Sequence, residues 1–105
     1  MSNRTLGERV HDALVKAAEA KVEAMRLRKH ADRAFDIALL KATGKNADEK
    51  KASARLDSVF IDRDTEALEA ECAAIVAKSE ADGLQVVFDQ WRTEESTKRA
   101  EMSLR

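Results

Sequence analysis

The chain predicts an all-α protein: a long antiparallel helical hairpin with an extended C-terminal helix, assembling into a bundle or coiled-coil homo-oligomer. Three observations carry that prediction. Proline is absent and glycine occurs only three times in 105 residues, so turn signals are scarce. Alanine supplies a large part of the 44% hydrophobic fraction and aromatics only 4%, a balance that favours helix on intrinsic propensity. Apolar positions also recur at alternating steps of four and three through two long stretches.

The first stretch runs Leu6, Val10, Ala13, Ala17, Ala20, Ala24, Leu27, Ala31, Ala34, Ala38, an unbroken heptad seam with small residues at its centre. Leu14, Ala18, Met25, Phe35 and Leu39 widen it on one flank. The spacing predicts helix one over about residues 5–43. The seam stops at KATGKNADEK, where Gly44 reads as a C′ residue and Asn46 with Glu49 reads as a capping box, giving a turn at 44–46. A second seam follows: Leu56, Phe60, Arg63, Ala67, Ala70, Ala74, Ala77, Ala81, Leu84, Phe88, Trp91, interrupted only by Arg63. Its phase survives Asp82-Gly83, so one helix is expected over about 47–100, with a break at Gly83 as the alternative. The whole chain, 1–105, reads as a single helical domain.

A reversal at Gly44-Lys45 places Leu6 opposite about residue 83. Helix one, at ~1.5 Å per residue, is then used up, and the seam beyond Gly83 overhangs. Leu84, Val87, Phe88 and Trp91 become an exposed apolar patch, the expected oligomerisation surface. A two-helix pair with an alanine seam is also thin, which again points to a homo-oligomer.

No stretch reaches the roughly 20 apolar residues that cross a membrane, and MSNRTLGERVHD lacks the apolar core of a signal peptide. The lone Cys72 cannot form an intrachain disulfide and reads as a small packing residue. A cytoplasmic location is expected, the host cytoplasm if the chain is phage-encoded. Glu8-x-x-His11 occurs once, where di-iron bundles need two copies. Asp62, Glu66 and Glu69 share one helical face while Asp64 and Glu71 share another, which divides the acidic cluster. Thr43-Gly44-Lys45 lacks the rest of a P-loop. No catalytic residue, metal or cofactor is expected, and the pattern argues against an enzyme.

The net charge of −1 hides an asymmetry: residues 21–55 carry ten basic and five acidic side chains, residues 56–82 two and eight. In RLRKHADR, Arg26, Lys29 and Arg33 fall at spacings of three and four, and Lys50, Lys51 and Arg55 join them near the hairpin tip. Such a surface neutralises phosphates without reading bases, so these six are the candidate nucleic-acid backbone contacts.

The layout resembles small phage-encoded recombination mediators of the UvsY type, through its Ala-rich charged helix, the hairpin ATGKNADEKKA (42–52) and the C-terminal STKRAEM (96–102). That resemblance implies a helical oligomer that binds single-stranded DNA and helps load a recombinase. It also implies Arg26, Lys29, Arg33, Lys50 and Lys51 as backbone contacts and a C-terminal helix that drives assembly. The expectation is a non-enzymatic protein binding single-stranded DNA, a recombination mediator or accessory factor. The competing reading is a coiled-coil protein-interaction module, an adaptor, inhibitor or scaffold without nucleic-acid binding.

Overall fold

A computed structural model describes residues 5–104 as three α-helices with no strand among the described residues. Helix α1 spans Leu6–Lys41, α2 spans Ala47–Arg55 and α3 spans Ser58–Ser103. Helices α1 and α3 pack antiparallel into a rod of 83 × 30 × 13 Å, and α2 rests chiefly on α1. The all-α hairpin with its long C-terminal helix is therefore the fold.

Each start is fixed by a side-chain cap, which satisfies amide groups that have no partner one turn back. Thr5 Oγ1 accepts from the Glu8 amide at 3.1 Å. Asn46 Oδ1 accepts from the Glu49 amide at 2.9 Å, and the Glu49 carboxylate accepts in turn from the Lys45 amide at 2.6 Å. The expected capping box is thus present, with its return bond landing one residue before the cap.

Two expectations about the helix boundaries need correction, and one alternative falls away. Residues 47–100 are not one helix: the chain breaks at Leu56-Asp57, where Asp57 Oδ1 accepts from the amides of Val59 and Phe60 and starts α3 afresh. The alternative break at Gly83 does not occur: α3 runs through it, as the unbroken seam phase predicts. Gly44 is not a left-handed C′ residue, since α1 ends on Ala42 in extended conformation and no residue has positive φ among those described. Glycine is needed there for a different reason. A Cβ at position 44 would stand 2.8 Å from Glu49 Cβ and 3.0 Å from the Lys50 nitrogen, so only glycine lets the turn press on α2.

The core is a seam of small residues. Val10, Ala24, Ala31 and Ala38 of α1 and Ala67, Ala77 and Ala81 of α3 are buried, with Ala54 from α2. No side chain larger than valine is buried among the described residues. Phe35 and Phe60 meet edge to face across the pair, with centroids 5.2 Å apart. Cys72, expected to pack, is exposed.

The register also differs from the simple hairpin. A Cβ at Gly7 would touch the Phe88 ring at 3.6 Å, which puts Leu6 opposite about residue 89 rather than 83. Residues 42–57 fold into α2 and its turns instead of lengthening the antiparallel pair, and α3 slides along α1 accordingly.

Candidate nucleic-acid interface

The six expected backbone contacts are all exposed, yet they differ in what holds them. Arg26 is tied to Glu23 one turn earlier, its Nε donating to Oε2 at 3.0 Å, and this hydrogen bond holds the Glu23 carboxyl below its ordinary range. Lys29, Arg33, Lys50, Lys51 and Arg55 form no ion pair among the described residues. Their charge is available to a ligand.

The structure divides the α1 stripe. At about 100° per residue, Lys29 and Arg33 lie only about 40° apart on the outer face of α1, yet they border different grooves. Lys29 borders a groove with Met25, Arg28, Glu71 and Ile75. Arg33 borders a separate groove of about 390 Å³ with His30 and Lys41 of α1 and Arg63 of α3. Lys50, Lys51 and Arg55 stand on α2, at the loop end of the same rod.

Arg28 is the cation that the hairpin uses internally. It reaches across to α3, where Nη1 donates to Asp64 Oδ1 at 2.7 Å and Nε donates to Glu71 Oε1 at 3.2 Å. Those bonds, Glu71's first and Asp64's second, raise the guanidinium pKa above its usual range. Asp64 and Glu71 share the face that their spacing predicts, and Arg28 occupies it. Glu66 lies 3.3 Å from Arg63 on its own helix. So part of the acidic surplus of residues 56–82 is already paired.

The described residues contain no group of three or more His, Cys, Asp or Glu placed to hold a metal ion. Glu8 and His11 are both exposed near the start of α1. No described helix is long and apolar enough to cross a membrane.

The expected assembly residues divide in a similar way. Leu84 and Phe88 are half-buried, because the shifted register brings the first turns of α1 alongside them. Val87 and Trp91 are each 49% exposed and keep the role of an uncovered apolar edge. Trp91 stacks on Phe88 at 6.0 Å, and Arg92 sits 5.7 Å from the same ring. From Arg92 to Ser103, α3 continues past the level of Leu6 for roughly 18 Å.

Three residues of the Arg33 groove were not among the expected contacts: His30, Lys41 and Arg63. Arg63 had a visible signal as the one charged residue in the second seam. Lys41 and His30 had none that separates them from ordinary solvated positions. No known protein family, curated protein or solved structure matches the chain.

Proposed function

We propose that this chain is a non-enzymatic, oligomeric helical protein that binds the backbone of single-stranded DNA, the activity of a phage recombination mediator or accessory factor. One observation supports this above others. Lys29, Arg33, Lys50, Lys51 and Arg55 are exposed and unpaired among the described residues, in the loop-end half of the rod. A phosphate backbone supplies the counter-charge that the protein does not. Leu40 and Leu56, 87% and 79% exposed, stand among these cations. Such aliphatic side chains offer apolar contact, not a stacking face, to the unstacked bases of a single strand, whereas a duplex keeps its bases inside.

Homo-oligomer formation belongs to the same reading. Large apolar side chains line both flanks of the hairpin with nothing over them among the described residues, Met25 and Ile75 on one (56% and 67% exposed) and Ile37 and Val59 on the other (48% and 59%). An oligomer covers these flanks and repeats the cationic ends. A recombinase is the protein partner that this activity implies.

Fluorescence anisotropy with a labelled oligo-dT tests the proposal. Five neutralised phosphates give a slope of about −3.5 in log affinity against log salt, so binding weakens about a hundredfold between 50 and 200 mM salt. Charge reversal at Lys29 and Arg33 abolishes it. Absence of binding at low salt by the assembled protein refutes the proposal.

The exposed apolar flanks also favour a second reading, a coiled-coil interaction module that docks a partner helix and ignores DNA. On that reading the Lys29 and Arg33 reversals leave function intact, and substitution of Val87 or Trp91 removes it.

A further inference from the structure

Arg63 is an anomaly that the helical pair alone does not explain. Every other seam position of α3 from Phe60 to Trp91 is apolar. Its neighbours in the seam are used for packing: Phe60 meets Phe35 and Ala67 is 0% exposed. A third apolar residue between them would extend the contact. Instead the chain places a guanidinium there, on the wall of the groove that Arg33, Lys41 and His30 border from α1.

The groove has the composition of an anion seat. Its floor is apolar, made by Ala34, Ile37, Ala38 and Val59. Ile37 and Val59 of that floor are about half exposed, so the pull on an anion comes from the several cations that border one groove and not from a dry setting. Asp57 is its one carboxylate, and Oδ1 of that group is engaged by the Val59 and Phe60 amides at the start of α3. The only ion pair of Arg63 among the described residues is to Glu66 at 3.3 Å between half-exposed groups. Exposed pairs of that kind hold a side chain weakly, so the guanidinium is free to turn toward a better acceptor.

We infer that this groove seats one phosphodiester of a bound nucleic-acid strand, held from α1 by Arg33 and Lys41 and from α3 by Arg63. The inference rests on the backbone-binding reading and gives it a path. The strand crosses the hairpin between its two long helices instead of running only along α2, and the Arg63 interruption of the seam is its signature.

Arg63→Leu separates this role from a structural one. Leucine completes the seam, so the full-length variant keeps its helical circular dichroism and melts at or above the wild-type temperature. Its affinity for labelled oligo-dT at 50 mM salt drops about tenfold, as expected for one lost charge-assisted contact, and the salt slope falls by at most about 0.7, the share of the one phosphate seated there. Lys41→Gln lowers the slope by the same amount. Lys50→Gln also does so, as a backbone contact outside the groove. Thymidine monophosphate at millimolar concentration leaves the oligonucleotide bound, because a single phosphate lacks the other contacts. Unchanged affinity and slope in both Arg63→Leu and Lys41→Gln, alongside a loss in Lys50→Gln, overturn the groove and leave backbone binding standing. No wild-type binding overturns both. Complete displacement by the mononucleotide overturns the assignment to a strand.

Discussion

Ala67→Leu probes what joins the two long helices. Ala67 and Ala31 are each 0% exposed, on facing helices whose buried side chains are otherwise almost all alanine. Such helices approach closely because methyl groups allow it, and each added carbon at the seam must displace something. Burying a leucine would gain about 1.5–3 kcal/mol if room existed. In a seam without voids the insertion instead forces the backbones apart, a cost of roughly 1–3 kcal/mol for overpacking alone. The alanines on either side then lose contacts as well, so a net loss of about 2 kcal/mol is expected. For a chain of this size that lowers Tm by about 8–16 °C. Thermal melts followed by far-ultraviolet circular dichroism read this directly, at one fixed protein concentration so that any self-association does not shift Tm between variants. Ala73→Leu is the control, since Ala73 is exposed and the same change there shifts stability by less than about 0.5 kcal/mol. If Ala67→Leu melts within a few degrees of Ala73→Leu, the close alanine seam does not join α1 to α3 and the reasoning fails.

Gly83→Ala raises stability by about 1 kcal/mol in urea titration, because Gly83 is exposed inside α3 and an added Cβ meets nothing within 4 Å. Gly44→Ala does the opposite, losing about 1–3 kcal/mol, because its Cβ would stand 2.8 Å from Glu49 Cβ. Asp57→Ala removes the acceptor of two amides at the start of α3 and costs about 1 kcal/mol by the same titration, while Asp57→Asn recovers most of it. Arg28→Met costs less than about 1 kcal/mol despite two carboxylate partners, because the guanidinium side chain is 31% exposed and solvent screens the pair. A loss of several kcal/mol would show instead that Arg28 acts as a buried ion.

The two seams and the reversal near Gly44 were legible because heptad spacing and capping chemistry are local properties. The break at Leu56-Asp57 was written in equally local terms: an Asp followed by Ser58, with its carboxylate positioned for the next two amides. The continuing apolar phase concealed it, since Leu56 and Phe60 keep the seam spacing whether or not the helix is interrupted between them. At Gly83 the same continuing phase was the right guide, and the break there was only the alternative. A glycine suggests a break only where the chain needs a conformation that other residues resist, and here the backbone is ordinary helix. The division of Lys29 from Arg33 was not legible as a division of grooves. Spacings of three and four place them on one exposed arc, but which groove each borders depends on where α3 crosses. Arg63 was visible as an exception in the seam, and its meaning required the other wall.

The register shift changes which residues can serve which surface. Had the chain reversed tightly at Gly44, Leu84 and Phe88 would stand clear of α1 and all four C-terminal apolar residues would be equivalent. With α2 occupying the turn, Phe88 lies over Gly7, and the uncovered edge is reduced to Val87 and Trp91. The same insertion carries Lys50, Lys51 and Arg55 at the opposite end of the rod from that edge. The proposed assembly contact at Trp91 and the proposed phosphate contact at Lys50 are therefore separated by most of the length of α1, which is ~54 Å for its 36 residues. Exposed charges that far apart are screened from each other at physiological salt, where the Debye length is about 8 Å. Substitutions at the two ends thus act on mass and on DNA affinity independently, unless assembly is what brings several cationic ends onto one strand. In that case Trp91→Ala lowers DNA affinity by lost multivalency, without removing a single phosphate contact from the monomer.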